Sequence, residues 1–195
     1  MNITNHYYTE HAQDFFDSTV GVNVQKLYEQ FVPRVKVQGK ILDAGCGSGR
    51  DSKHFLDLGY QVCAFDANES LVSLASEHLG QSVILATFDT FEGEPNSFDG
   101  IWACASLLHV EAESLPSVFV HLSKLLKADG VFYCSFKYGE SALVRNGRYF
   151  TDMNEDKLKE VLSQTGLSID NTWKTSDARP GRESEKWLNA ILIKA

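Results

Sequence analysis

Proline and cysteine are scarce in this 195-residue chain, four of each, and there are only two methionines. Cys46, Cys63, Cys104 and Cys134 show no paired metal-ligand spacing, so no metal is expected and the cysteines read as reduced thiols of a cytoplasmic protein. Positive charge is also in short supply, with 18 Lys and Arg against 26 Asp and Glu, a formal charge of -8 and a pI near 5.2. Such a chain lacks the field that gathers polyanions, which disfavours a nucleic-acid partner while leaving room for a local basic patch. No run is long and apolar enough to span a bilayer, and the opening Met1-Asn2-Ile3-Thr4-Asn5-His6 is polar and unlike a secretory signal. Repeats, low-complexity stretches and convincing linkers are missing too. What is present is a hydrophobic fraction of 43%, ample for one buried core, and a length that suits one domain.

Glycine is concentrated where it can act. Ile41-Leu42-Asp43-Ala44-Gly45-Cys46-Gly47-Ser48-Gly49-Arg50-Asp51 reads as an apolar strand, an acid, alternating glycines and the start of an amphipathic helix. A strand-to-helix turn of this kind is a nucleotide-cradling corner of an α/β sheet, because backbone without Cβ lets a ligand lie directly against it. The dinucleotide fingerprint G-x-G-x-x-G would need a third glycine where Arg50 stands; the spacing here is G-x-G-x-G.

That spacing, with Asp43 ahead of it, resembles motif I of class I S-adenosylmethionine (SAM)-dependent methyltransferases, especially the small single-domain bacterial group that includes the tellurite-resistance type. The resemblance runs along nearly the whole chain. It implies a Rossmann-like three-layer α/β sandwich with a seven-stranded, mostly parallel sheet, an antiparallel C-terminal hairpin and N-terminal lid helices. Residues 1–37 would be the lid, residues 38–195 the core, and residues 137–152 an insert over the acceptor pocket. Only about a dozen residues separate the last two strands, Ser168 to Lys174 and Lys186 to Ile193, too few for a helical crossover, so they should pair antiparallel.

Read in order, Tyr8, Ala12 and Phe15 fit one helix face and Val24, Leu27, Tyr28 and Phe31 another. The resemblance places such helices over the cofactor and makes Tyr7 and Tyr8 lid candidates, Tyr8 as a cofactor-binding residue with its hydroxyl near the SAM carboxylate; the alternative is that both rings pack. Asp43, Ala44, Gly45, Cys46, Gly47 and Gly49 form the cofactor turn. Asp66, followed by Ala67, closes the second strand, where a carboxylate can accept both ribose hydroxyls. A helix-capping role suits Asn68 better. By resemblance Phe88 and Asp89 meet adenine, Asp89 being equally readable as a solvated loop acid. Val83 to Ala86 reads as the third strand. Ser97-Phe98-Asp99-Gly100-Ile101-Trp102-Ala103 looks like the fourth-strand signature, which puts Cys104, Ala105 and Ser106 at the mouth of the sheet beside the methionine part of SAM. His109 is the leading candidate for proton transfer, with Glu140 second; it is otherwise a loop-bonding histidine. Leu115, Val118, Phe119, Leu122, Leu125 and Leu126 form a helical stripe expected to end at Asp129-Gly130, with Val131 to Phe136 as the fifth strand.

Lys137, Tyr138, Arg148, Arg179 and Arg182 could assemble a cationic rim for a small anionic acceptor, or could simply pair with Glu183 and Glu185 at the surface. The expected activity is methyl transfer from SAM, yielding S-adenosylhomocysteine, to a small molecule. Acceptors in tRNA or protein, a non-catalytic SAM-binding role and a nicotinamide-dependent oxidoreductase are the alternatives. The segment after Ala103 has neither the proline-aromatic motif of adenine amino-methyltransferases nor the Pro-Cys nucleophile of cytosine C5 enzymes.

Overall fold

Glycine and capping residues cut the chain into alternating strands and helices. In this computed structural model, which describes residues 3–195, the turn at Gly45–Gly49 separates β1 (Lys40–Ala44) from α4 (Arg50–Asp57). Asn68 caps α5 (Glu69–Leu79) by accepting a hydrogen bond from Leu71 N, and Gly80 closes it in a left-handed conformation. Ahead of the sheet lie α1 (Ile3–Glu10), α2 (Ala12–Thr19), α3 (Gln25–Phe31) and a 3-10 turn at Val32–Arg34. The first two form one face interrupted at His11, whose backbone leaves the helical region and whose ring stacks on Tyr7. Met1 and Asn2 of the polar opening stretch lie outside the described residues.

The remaining strands of the main sheet are β2 (Gln61–Asp66), β3 (Ile84–Leu85), β4 (Phe98–Ala103), β5 (Leu126–Lys137), β8 (Leu167–Ser176) and β9 (Lys186–Lys194). They form a seven-stranded sheet in the order β3-β2-β1-β4-β5-β9-β8. Pairing is parallel from β3 through β5, and β9 lies antiparallel to both β5 and β8. Since β1 is flanked by β2 and β4, the strand order reverses beside it. Helices leave to opposite sides there, which opens a crevice at the carboxyl ends of the two strands.

Side chains alternate across the sheet and feed two large cores, with a small third cluster of Cys46, Ala64, Ala75 and Val83. Ile101 and Phe132 face one, with Phe119 and Leu122 of α6 (Leu115–Leu125) and Leu158 of α7 (Glu155–Leu162). Trp102 and Tyr133 face the other, with Phe31 of α3 and Phe55 of α4. Three element boundaries depart from the sequence expectation. The third strand is only Ile84–Leu85. Helix α6 stops at Leu125, because Leu126 turns extended and pairs with Phe98 across an irregularity in β4; strand β5 therefore starts well before Val131. The insert is not mere loop, since β6 (Ala142–Arg145) and β7 (Arg148–Thr151) pair as a hairpin standing off the sheet.

Candidate functional site

The corner after β1 is bare backbone. Gly45 N and Cys46 N both donate to Phe65 O, at 2.9 and 3.0 Å, which locks the turn to β2. Gly45 has φ +78°, and a Cβ built on it would lie 2.6 Å from the Ser106 Cβ. No other residue fits there, and Ser106 itself is pinned by donating to Ala44 O at 2.7 Å. Across the crevice Ala105 sits at φ +53°, held by its N–H donating to Ser135 Oγ at 2.8 Å. A left-handed alanine costs about 1–2 kcal/mol, and this one sits at the mouth of the sheet.

Two cavities flank this corner. The larger, of about 490 Å³, is lined by Asp66, Ala67, Phe88, Asp89, Ser106 and Val118 among others. The smaller, of about 230 Å³, includes Cys46, Arg50, Cys104, Lys137, Arg148 and Asn189. Tyr8, Phe15, Gly45, Gly47, Ala105 and His109 border both, so the cavities meet at the glycine turn.

Asp66 faces the larger cavity with its oxygens oriented by backbone: Gly47 N donates to Oδ2 and Asn68 N to Oδ1, each at 2.9 Å. Burial pushes its pKa up against these bonds. The Phe88 ring packs edge-on against Phe65, and Asp89 is exposed, accepting from Thr87 Oγ1 at 2.6 Å. Asp43, Ala44 and Gly49 lie beneath the turn and line neither cavity. Asp43 is buried and accepts from Ser52 Oγ at 2.6 Å. Its pKa is pushed up to about 8, by burial first and then by the Asp51 charge. Gly49 faces Ala75 and Leu79, where a Cβ would be tight against α5.

Helix α1 crosses above the corner and is tied at both ends of its span. The Asn68 amide donates to Asn5 Oδ1 at 2.6 Å and Thr9 Oγ1 at 2.9 Å, while Tyr149 N of the insert hairpin donates to Thr4 Oγ1 at 2.9 Å. This brings Tyr8 to His109, with Oη 3.0 Å from Nε2. His109 Nδ1 lies 2.6 Å from the Tyr149 carbonyl, which can only accept. The ring therefore carries its proton on Nδ1, and Nε2 accepts from the Tyr8 hydroxyl. Burial lowers the His109 pKa to about 4.

The five cation-rim candidates separate. Arg179 forks onto Asp177 at 2.6 and 2.9 Å, Arg182 reaches Glu185 at 2.6 Å, and Lys137 also pairs with Glu185. Tyr138 lines neither cavity; it donates to Glu155 at 3.0 Å and accepts from Lys174 at 2.8 Å, and so leaves the rim. Glu140 is exposed as well: its carboxylate accepts from Asn154 Nδ2 at 3.1 Å, and its backbone carbonyl accepts from Lys157 Nζ. Arg148 differs from the rest: among the described residues no carboxylate lies within ion-pair distance of it. Its guanidinium stacks 4.5 Å from the Tyr7 ring centre, reaches Tyr8 Oη at 3.4 Å, and keeps a buried Nε without a partner.

Sequence reasoning overlooked the floor of the smaller cavity. Arg50 donates to both oxygens of Asp51 at 2.6 and 3.0 Å, and Tyr28 Oη and Trp102 Nε1 complete that carboxylate at 2.5 and 2.8 Å. Burial opposes the Asp51 charge, but Arg50 and these donors outweigh it and hold the pKa low. Beside them burial pushes the Cys104 thiol up to about 12. An acid opening α4 next to an arginine was the visible signal; that Trp102 and Tyr28 converge on it was not, since they come from distant segments.

Among the described residues no cluster of three or more His, Cys, Asp or Glu could hold a metal ion, and no helix is long and apolar enough to cross a membrane. Residues 41–130 match the family described as "Methyltransferase domain". The ubiquinone biosynthesis O-methyltransferase of Xanthomonas campestris pv. campestris is 31% identical over 109 residues, 52% of this chain and 45% of that protein. The chain spans about half the length of the curated relatives it matches. Among solved structures, the 1,6-didemethyltoxoflavin-N1-methyltransferase of Burkholderia thailandensis, with 1,6-didemethyltoxoflavin and S-adenosylhomocysteine bound, aligns at TM-score 0.79 and 19% identity, covering 99% of this chain and 88% of that one. A TehB-like SAM-dependent methyltransferase from Corynebacterium glutamicum aligns at TM-score 0.72 and 18% identity, with 98% of each chain covered. At such identities the structural likeness establishes the shared fold, and the sequence match covers the glycine corner and the strands around it. Over residues 41–130 the chain is similar to that methyltransferase family, and its fold is the one seen in the solved SAM-dependent methyltransferases.

Proposed function

We propose that this chain transfers the methyl group of SAM to a small molecule held in the smaller cavity. The observation that carries the reading is the junction of the two cavities at Gly45, Ala105 and His109, which gives a donor and an acceptor one shared wall. The larger cavity fits the donor. Its glycine turn has no room for Cβ atoms, Asp66 offers oriented oxygens for two ribose hydroxyls, and Phe88 supplies an apolar wall for adenine with Asp89 beside it. Ala105 and Ser106 would border the methionine portion, with Cys104 turned to the smaller cavity instead, and residues 1–37 would act as the lid over core residues 38–195.

SAM supplies a methyl group already activated on a sulfonium, so the work left to the protein is alignment of the acceptor and exclusion of water. Arg50, Cys104 and Asn189 floor the acceptor side, and the hairpin of the 137–152 insert walls it. A polynucleotide acceptor is disfavoured by the charge of -8 and by the pairing of Lys137, Arg145, Arg179 and Arg182 with carboxylates. The non-catalytic alternative would leave the second cavity without a use.

Calorimetric titration of SAM into wild type and Asp66→Ala tests the donor site. Losing hydrogen bonds to a charged group should weaken binding roughly 10- to 100-fold; equal affinities would remove Asp66 from the site. Turnover is tested by following S-adenosylhomocysteine release across small carboxylates, thiols, amines and oxyanions.

A further inference from the structure

Helix α1, the insert hairpin and the turn after β4 bring Arg148, Tyr8 and His109 together where the two cavities meet. Among the described residues no carboxylate lies within ion-pair distance of Arg148, and its Nε is buried with no hydrogen-bond partner. It lines the smaller cavity but not the Asp66 and Phe88 side. Tyr8 Oη stands between the guanidinium, at 3.4 Å, and His109 Nε2, at 3.0 Å. The Tyr149 carbonyl fixes the ring so that the Nε2 lone pair faces Tyr8.

We propose that Arg148 receives a carboxylate of the methyl acceptor, and that Tyr8 and His109 relay a proton from the acceptor's own O–H, N–H or S–H group. This rests on the methyl-transfer reading above and names its substrate class: a small carboxylate-bearing molecule with a protic nucleophile close to its acid. The acceptor's proton passes to Tyr8 Oη as the Tyr8 hydroxyl proton moves to His109 Nε2. The electron pair left on the acceptor atom forms the new bond to the methyl group, while the old methyl–sulfur pair stays on sulfur. The imidazolium then gives its proton to water.

The charges facing the pair explain why an anion is needed. Tyr7 and Tyr8 come from α1, Arg148 from β7, Asp66 from the end of β2 and Arg179 from the loop before β9; Arg148 acts on His109 directly, and Asp66, Arg148 and Arg179 on Tyr8. Without an acceptor, burial and the Arg148 charge both disfavour protonated His109. A carboxylate on Arg148 offsets that charge and makes Nε2 a better base only when the acceptor is in place.

The test follows the His109 ring nitrogens by NMR in ¹⁵N-histidine-labelled protein, titrated with acid in four arms: no addition, S-adenosylhomocysteine, S-adenosylhomocysteine with benzoate, and S-adenosylhomocysteine with benzyl alcohol. Benzoate should raise the His109 pKa by about one unit, while benzyl alcohol and S-adenosylhomocysteine alone should leave it in place. Arg148→Met should abolish the benzoate shift, and Arg148→Lys should keep it with about tenfold weaker benzoate binding, one arm of the fork being lost. S-adenosylhomocysteine that binds without any benzoate effect overturns the acceptor site and leaves methyl transfer standing. A full shift with S-adenosylhomocysteine alone also overturns it, by assigning Arg148 to the donor's carboxylate. Failure of S-adenosylhomocysteine to bind at all overturns the methyl-transfer reading itself.

Discussion

Gly45 and Ala105 occupy the same left-handed backbone region for different reasons. Gly45 is there because a Cβ would strike Ser106; Ala105 is forced there by the Ser135 hydroxyl and by the end of β4. Gly45→Ala should cost on the order of 1–3 kcal/mol in urea unfolding and should abolish calorimetric SAM binding, since Ser106 and the turn must move apart. Two buried titrating groups give stability opposite pH slopes. His109, at about 4 folded against about 6.5 unfolded, binds its proton more weakly in the folded chain, so its contribution is absent near pH 4 and grows as pH rises to 6.5. Asp43, raised to about 8, binds its proton more tightly when folded, so its contribution is full near pH 4 and is lost as pH rises towards 8. Chemical unfolding from pH 4 to 8 should therefore show the low-pH rise vanish in His109→Gln and the loss towards pH 8 vanish in Asp43→Asn.

Helix α5 and helix α1 share one residue, Asn68. Its Oδ1 caps α5, and its amide nitrogen holds Asn5 and Thr9 of α1. Asn68→Ala should remove about 1 kcal/mol of capping and also release the strap over the cavities. Hydrogen exchange should then speed up across residues 3–10 more than within α5. Asn68→Asp separates the two functions: it keeps the cap and puts an acceptor where the donor stood, so exchange in α1 should still rise. The capping signal was legible as Asn ahead of an amphipathic run. The bond to α1 spans about sixty positions, and no local pattern encodes it. For the same reason the end of α6 misleads: Leu126 continues the helical stripe, but its pairing with Phe98 draws it into β5.

Across the whole molecule, Trp102 is where the layers join. It is fully buried on β4, stacks 4.0 Å from the Tyr133 ring of β5, packs on Phe31 of α3, and donates to Asp51 of α4. Trp102→Phe keeps much of the packing but strips one donor from a buried carboxylate, a loss of about 2–4 kcal/mol measurable by urea unfolding. The net charge of -8 is the other whole-molecule property. It coexists with a cation-lined mouth in which Asp177 pairs with Arg179, Asp152 with Arg145, and Glu185 with both Lys137 and Arg182.

What the sequence by itself determined was the order and type of the elements, the glycine corner, the acid ending β2 and the antiparallel closing strands. These follow from period, capping and glycine placement, all of which act over a few residues. Packing was needed to settle which members of the cationic rim stay unpaired, that Asp43 lies beneath the turn, and that Tyr8 of α1 meets His109 after β4. Those outcomes depend on distances between segments a hundred residues apart, where a paired and an unpaired arginine look alike in the chain and only packing tells them apart.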